Sequence, residues 1–201
     1  MAGWIRHEGR ALPLPLENVD TDQLIPARFM SAPRSAGYGG FLLHDLRHDA
    51  EGALQPDFPL NRPEAAGASV LIARRNFGGG SSREAAVYAL VDAGFRVVIA
   101  PSFGDIFSSN AVNNGLLPAR LPAEAVESLL EAAPLKLAVD LDAGTITGEG
   151  QTYRFALDPV WRLKLENGWD DIDLTAAHGS AIAAFAADRR ATHPWLWPAM
   201  P

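Results

Sequence analysis

Ser69-Val-Leu-Ile-Ala73 and Phe95-Arg-Val-Val-Ile-Ala100 decide the fold. Both are continuous apolar runs of strand length, which is typical of strands buried on both faces. Between them lies the turn Asn76-Phe-Gly-Gly-Gly80, and the stretch from Ser81 to Ala93 then reads as a helix ending at Gly94. A strand, a helix and a second strand in this order predict a βαβ unit, and therefore an α/β fold.

Shorter elements are predicted on both sides of this unit. Upstream, Arg10 to Ile25 reads as strand, turn and strand edge, because Pro13 and Pro15 exclude a central helix. Downstream, three short strands follow, and Asp158-Pro159 opens a helix that Asn167-Gly168 closes. The remaining predictions are helices over 101–113, 122–132 and 175–187, strands over 135–141, 145–148 and 152–157, and an irregular tail over 188–201.

The segment from Arg28 to Gly67 is rich in Gly, Pro and Asp and shows little periodicity. A loop of this length inside a compact domain is unusual, and such loops are often functional or mobile. Composition alone supports a functional loop and a floppy insertion about equally.

Composition excludes several classes of protein. The 201 residues suit one compact domain, and the hydrophobic fraction of 48% is enough for a core. A net charge of −7 without any Lys/Arg run argues against a nucleic-acid surface. No apolar stretch is long enough to cross a membrane, and the first residues lack the plan of a signal peptide. We therefore expect a cytoplasmic protein.

The chain contains no cysteine. It can form no disulfide, it has no thiolate nucleophile, and it cannot hold a cysteine-ligated iron–sulfur cluster. If the chemistry needs such a cluster, another polypeptide must carry it.

The segment Phe77-Gly-Gly-Gly-Ser-Ser-Arg-Glu84 joins a predicted buried strand to a predicted helix. Glycines let the backbone approach a ligand closely, and helix N-terminal N–H groups attract anions. Arg83 adds a guanidinium that suits a carboxylate or a phosphate. However, Ser81 and Glu84 have the spacing of a capping box, in which the serine only caps the helix. The residues alone favour capping slightly and leave anion binding open.

A second polar cluster is Asn18-Val-Asp-Thr-Asp22. Asp20 and Thr21 suit a turn that bonds its own backbone. For Asp22 the alternative is a carboxylate that orients arginines of an anion site. Arg34 lies in the long segment, where a solvated charge and a second anion-binding arm are the two interpretations.

Several motifs together resemble the small-subunit family of 3-isopropylmalate dehydratase, within the aconitase superfamily. They are Asn18-Val-Asp-Thr-Asp-Gln-Leu-Ile-Pro-Ala-Arg-Phe29, Asn76-Phe-Gly-Gly-Gly-Ser-Ser-Arg-Glu84, Gly94-Phe-Arg-Val-Val-Ile-Ala-Pro-Ser-Phe103, Asp105-Ile-Phe107, Asn114-Gly-Leu-Leu-Pro118 and Asn167-Gly-Trp-Asp-Asp-Ile-Asp-Leu-Thr175. They occur in the family's order over nearly the whole chain. The resemblance implies a single β/β/α swivelling domain over residues 1–201, with a mobile substrate loop around 28–67.

The resemblance also implies a function. Members of this family work only with a large subunit that carries a [4Fe–4S] cluster, and the pair converts 2-isopropylmalate to 3-isopropylmalate in leucine biosynthesis by removing and re-adding water. Ser81 matches the family's catalytic serine, and Ser82 and Arg83 match residues that hold the substrate carboxylate. Asp22 and Arg34 resemble an acid and a loop arginine that meet the substrate. This implication favours catalysis over capping for Ser81.

Two positions depart from the family pattern, since Gly79 replaces a cysteine and Ala85 replaces a histidine. The loop also differs, because Ala36 separates Arg34-Ser35 from Gly37 where the family pattern is contiguous. We expect that loop to read the substrate side chain. The alternatives to isopropylmalate dehydration are therefore a paralogue acting on another alkylmalate or 2-hydroxy diacid, and a non-catalytic anion-binding module.

Overall fold

The computed structural model describes residues 2–197. Seven strands within them form one mixed sheet. The strand order is β4-β3-β2-β1-β5-β6-β7. β1 to β4 pair in parallel, whereas β5 to β7 continue the sheet from β1 in antiparallel fashion. The strands are β1 (Arg6–Leu14), β2 (Ala68–Ala73), β3 (Val97–Ala100), β4 (Leu117–Arg120), β5 (Leu135–Asp140), β6 (Thr145–Gly148) and β7 (Gln151–Arg154).

The parallel half of the sheet is buried on both faces. In β2, Leu71 and Ala73 point into one hydrophobic cluster, while Val70 and Ile72 point into a second cluster on the other face. Two-sided burial explains why these strands read as continuous apolar runs. The prediction of an α/β fold is confirmed. In β5, by contrast, buried and exposed residues alternate, because only one face of the antiparallel half is covered.

Eight α-helices accompany the sheet within residues 2–197. Two caps behave as predicted: the Asp158 carboxylate accepts hydrogen bonds from the Val160 and Trp161 N–H groups, and Gly168 ends the same helix at a φ of 70°. The helices are α1 (Thr21–Leu24), α2 (His44–Arg47), α3 (Glu84–Asp92), α4 (Asp105–Asn113), α5 (Ala123–Ala132), α6 (Pro159–Asn167), α7 (Asp171–Ala176) and α8 (Gly179–Thr192).

Several predicted boundaries and one predicted element type were wrong. The first strand begins at Arg6, and α1 stands where a strand edge was expected. α3 begins at Glu84, three residues later than predicted, because tertiary contacts hold the preceding residues outside the helix. α4 begins only at Asp105, and residues 101–104 join β3 to it.

The segment over residues 28–67 contains short 3-10 helices and α2. Tyr38, Leu42 and Leu43 of this segment are buried in the core beside α3. Single helical turns have no repeating side-chain pattern, which explains the weak periodicity of this part of the sequence. Its mobility stays a prediction.

The C-terminal region differs from the expected irregular tail. The single helix predicted over 175–187 is two helices, because α7 ends at Ala176 and α8 runs from Gly179 to Thr192, past the predicted end at Ala187. Residues 193–197 lie outside α8. Residues 198–201 of the predicted tail lie outside the described part of the chain. None of the α8 residues is buried within the structure as described, and Ile182 and Phe185 are exposed. In residues 2–197, no helix has the length and apolar character needed to span a bilayer.

Candidate active site

The site forms where the carboxyl ends of β2 and β3 meet. After β2 the chain runs through Phe77, whose N–H donates to the Ser102 carbonyl at 3.0 Å and whose carbonyl accepts from the Gly104 N–H at 2.9 Å. The turn after β2 is therefore hydrogen-bonded to the turn after β3. The carboxyl edge of a parallel sheet is the usual place for a ligand in α/β proteins.

Gly78 makes this arrangement possible. Its φ is 72°, and a Cβ added there would lie 2.2 Å from the Phe107 ring. Phe107 also packs edge-on against Phe77, with ring centroids 5.4 Å apart. The start of α4 is thereby pressed against the glycine turn, and the two form the walls of one pocket.

That pocket has a volume of about 240 Å³ and is lined by Ser81 and Arg83. Ser81 does not cap α3, since the N-cap position is Arg83 and no side chain caps it. The capping box suggested by the sequence is therefore not formed. Within residues 2–197 the Ser81 hydroxyl makes no hydrogen bond, whereas the Ser81 carbonyl accepts from the buried Thr21 hydroxyl at 2.8 Å. The backbone of Ser81 is held, and its hydroxyl is available to a ligand.

Arg83 is the basic group of the pocket. Its side chain is only 19% exposed, and its Nη1 donates to the Asp22 carboxylate. A guanidinium has five N–H donors, so most of them are still available to a bound carboxylate. Asp22 itself does not line the pocket. The interpretation of Asp22 as a carboxylate that orients an arginine agrees with this geometry.

The neighbours of Asp22 form the expected backbone-bonding turn. The Asp20 carboxylate accepts from the Gln23 N–H at 2.7 Å, and the Gln23 side chain accepts from the Asp20 N–H at 3.0 Å. The Thr21 N–H donates to the Gly79 carbonyl at 3.0 Å. α1 is thus fastened directly to the glycine turn, which places Asp22 beside Arg83.

Ser82 is exposed next to Ser81 but does not line the pocket. Arg34 is held away from it, because its guanidinium donates to both Asp92 carboxylate oxygens, at 2.5 and 2.9 Å. Asp92 ends α3 whereas Arg83 immediately precedes it, and at 1.5 Å per residue the helix separates their Cα atoms by about 13 Å. The structure does not bring Arg34 to the other candidate residues.

Two aromatic rings also contact Arg34, and together with Asp92 they form what we call the Arg34 clasp. The guanidinium carbon lies 4.3 Å from the Tyr88 ring centroid and 5.5 Å from that of Tyr38, and the Tyr38 N–H donates to Asp92 at 2.7 Å. Burial, followed by the charge and hydrogen bond of Glu84, raises the pKa of the Tyr88 phenol. Tyr88 therefore stays neutral at ordinary pH, which suits a ring that stacks on a cation.

Asp92→Asn tests whether the Arg34 clasp orders residues 34–41. An amide oxygen cannot replace a carboxylate that accepts three hydrogen bonds, so we expect a loss of about 1–3 kcal/mol in local stability. Amide hydrogen exchange should speed up over residues 34–41 and stay unchanged in β2. Asp57→Asn removes an exposed carboxylate of the same segment and serves as the control. Unchanged exchange over residues 34–41 would show that Asp92 does not hold the segment.

A larger cavity of about 520 Å³ lies over β1 and β5 and includes Glu8, Arg10 and Lys136. It contains none of the five candidate residues, so we place the site at the smaller pocket. In the described part of the chain, no three His, Cys, Asp or Glu side chains are grouped so that they could hold a metal ion.

Comparison with known proteins assigns the chain to a family. Residues 1–124 match the aconitase C-terminal domain, and residues 171–199 match the C-terminal domain of the 3-isopropylmalate dehydratase small subunit. The chain is 48% identical over 182 residues to the 3-isopropylmalate dehydratase small subunit of Shouchella clausii, covering 89% of this chain and 92% of that one. It is 50% identical over 184 residues to that of Anaeromyxobacter sp. strain K, covering 91% and 96%. The chain belongs to the 3-isopropylmalate dehydratase small-subunit family.

A solved structure agrees with this assignment to the small-subunit family. The 3-isopropylmalate dehydratase of Methanocaldococcus jannaschii superposes with a TM-score of 0.68 at 25% identity, covering 90% of this chain and 99% of that one. The swivelling-domain fold predicted from the resemblance is confirmed.

Both departures from the small-subunit pattern fit the structure locally. At Gly79 an added Cβ would meet the Asn76 side chain at 3.2 Å, so a larger residue requires Asn76 to shift slightly. Ala85 is partly buried against the core cluster beneath α3. Gly79 lines the same pocket as Ser81 and contributes only backbone to its wall, whereas Ala85 does not line the pocket.

Sequence reasoning gave no role in the site to Thr21, Asp105 or Ile106, which all line the pocket. Thr21 was expected only to form a local turn, but its hydroxyl fixes the Ser81 backbone. Ile106 was recognised only as a member of the motif Asp105-Ile-Phe107, although it lines the same pocket as Ser81. A usable signal was present: residues that follow two neighbouring parallel strands meet at one sheet edge.

Proposed function

We propose that this chain, paired with a large subunit, converts 2-isopropylmalate to 3-isopropylmalate by dehydration and rehydration, in the cytoplasm, as a step of leucine biosynthesis. The observation that carries the proposal is the pocket that joins an unbonded Ser81 hydroxyl to the Arg83 guanidinium in a chain of this family. An oxygen that can act as a base, beside a carboxylate-binding cation, is what removal of a proton next to a carboxylate requires.

Ser81 Oγ acts as the base. It takes a proton from the carbon next to a carboxylate, and the hydroxyl on the neighbouring carbon leaves with its bonding electrons. Rehydration returns the proton to the carbon that lost the hydroxyl and adds hydroxide to the other one. A serine oxygen needs help to ionise, and the positive Arg83 guanidinium in the same pocket favours the negative form.

Arg83 holds the carboxylate next to the carbon that loses its proton. As that proton leaves, negative charge spreads into the carboxylate, and a guanidinium already oriented by Asp22 stabilises this charge without rearranging. Ser82 adds a hydroxyl at the rim of the site. Asp22 acts through Arg83 and is therefore a positioning residue.

Arg34 is proposed as a further carboxylate ligand only in the closed, substrate-bound enzyme. To reach substrate it must exchange the two Asp92 oxygens for a substrate carboxylate. Both partners are carboxylates, so replacing Asp92 by the substrate leaves the charge beside Arg34 nearly unchanged. Closure of a loop over bound substrate is a common way to drive such an exchange.

The iron–sulfur cluster belongs on the large subunit, since this chain has no cysteine to ligate it. A cluster bound there would supply Lewis-acid chemistry toward the leaving hydroxyl. The functions of Ser81, Arg83 and Asp22 are carried by this chain's own atoms, and the partner is needed only to complete the site.

Anaerobic reconstitution tests whether the cluster and the activity require the large subunit. The purified chain alone is expected to bind no stoichiometric iron and to turn over no alkylmalate, whereas the co-expressed pair should carry the cluster and interconvert the two isopropylmalates. Iron analysis and product detection, on the same preparations, give the two readouts. A cluster or measurable turnover in the chain alone would contradict the proposal, as would an iron-loaded pair that leaves isopropylmalate unchanged.

A further inference from the structure

The pocket contains an apolar side chain that the proposed chemistry does not use. Ile106 is 54% exposed and lies in the first turn of α4, where it lines the same pocket as Ser81 and Arg83. Phe107, the other large apolar residue of the lining, is buried. The remaining lining residues among those described are glycines and polar residues, so Ile106 is the large apolar surface that this pocket offers to a ligand.

Ile106 is rigidly placed. The next residue, Phe107, stacks with Phe103 at a ring-centroid distance of 6.2 Å and packs edge-on against Phe77. Gly104, which precedes α4, donates its N–H to the Phe77 carbonyl at 2.9 Å, and a Cβ added there would lie 2.5 Å from the Gly78 carbonyl oxygen, so the helix start is held close against the glycine turn. An isoleucine side chain is also stiff about χ1, because it is branched at Cβ. The apolar wall is therefore preorganised before substrate arrives.

The long segment that was expected to read the substrate side chain contributes nothing to this wall. None of the lining residues falls within 28–67, and Arg34 of that segment is engaged by Asp92. A malate substituted with an alkyl group has two carboxylates and one apolar branch. If Arg83 receives a carboxylate and Ser81 faces the carbon that loses its proton, the branch needs an apolar neighbour in the same pocket.

We propose that Ile106 contacts the alkyl branch of the substrate and sets which branch sizes are accepted. This inference rests on the proposed function, because it names the part of that substrate which this chain selects. One methylene in an apolar pocket changes specificity by about 10- to 200-fold, so a single exposed isoleucine is large enough to decide between methyl, ethyl and isopropyl substituents.

The test uses the assembled two-subunit enzyme with malates that carry methyl, ethyl or isopropyl groups. Ile106→Ala should lower kcat/KM for isopropylmalate by about 10- to 200-fold relative to methylmalate. Ile106→Val should give a smaller shift in the same direction, and Ile106→Phe should favour methylmalate by crowding the branch. Ile5→Ala removes an isoleucine that is 48% exposed and lies outside both the pocket and residues 28–67, and it should leave the ratios unchanged.

Three outcomes would overturn the inference in different ways. Equal losses on all three substrates, with more of the large partner needed for half-maximal activity, would place Ile106 at the interface between the two subunits. Unchanged ratios at unchanged activity would remove Ile106 from the substrate site. A wild-type pair that turns over none of the alkylmalates would reject the proposed function itself. The variants cannot produce this result, because each of them is compared with a wild-type pair that is active.

Discussion

Replacement of Ser81 by alanine is expected to lower kcat of the assembled enzyme by about 10²- to 10⁴-fold, the usual contribution of a proton-transferring side chain. The melting temperature of the protein should stay unchanged. The physical reason is that the Ser81 hydroxyl caps no helix and bonds to nothing within residues 2–197, while the contact from Thr21 goes to the Ser81 carbonyl, which alanine retains.

Activity and melting temperature, measured on the same preparation, separate the two interpretations of Ser81. A capping serine would cost about 0.5–2 kcal/mol of stability when removed and would leave most of the activity. Ser82→Ala is the matched control, because it deletes the neighbouring hydroxyl outside the pocket and should affect mainly KM. Retained turnover in Ser81→Ala would remove Ser81 from the chemistry.

Arg83→Lys is expected to lower kcat/KM by about 10- to 150-fold, and by a similar factor for every alkylmalate. Hydrogen bonds to a charged group contribute about 1.5–3 kcal/mol, and each 1.4 kcal/mol is a factor of ten. Lysine keeps the charge but loses the planar fork that holds Asp22 and a substrate carboxylate together. The loss is uniform because all the substrates share that carboxylate.

Two further variants sharpen this result. Asp22→Asn keeps the shape of the side chain but weakens its hydrogen bond with Arg83, because the amide carries no charge. It should therefore lower kcat/KM by a smaller factor than Arg83→Lys does. Arg74→Lys disrupts a comparable two-bond pair with Glu127 outside the pocket and should leave kcat/KM unchanged. If Arg83→Lys instead changed the preference among alkyl groups, Arg83 would contact the branch and not the common carboxylate.

Much of the fold could be predicted from local patterns. Ser69 to Ala73 and Phe95 to Ala100 are continuous apolar runs because both faces of β2 and β3 are covered, and such burial leaves a clear trace in sequence. The start of α3 could not be predicted in this way. The residues before it are held by Thr21, sixty positions earlier, and a local spacing rule does not include such a contact.

The candidate residues show the same difference between local patterns and long-range contacts. Ser81 and Arg83 are near neighbours in sequence, so a motif predicts their proximity, and the structure places both at one pocket. Arg34 depends on which carboxylate it meets. Asp92 lies 58 positions away, and no spacing rule connects the two. Ile106 follows β3, and its place beside Ser81 depends on the parallel pairing of β2 with β3, which the βαβ pattern indicated but no motif spacing shows.

The central position of β1 has a consequence for how the chain folds during synthesis. This strand is translated first, yet its neighbours are β2, at residues 68–73, and β5, at residues 135–140. During translation, one edge of β1 is therefore without its partner until β5 has left the ribosome, and pairings between residues so distant in sequence form slowly. Unpaired strand edges invite association with other chains. Completion of the sheet, and with it protection from aggregation, is therefore a late event that waits for strands in the last third of these 201 residues.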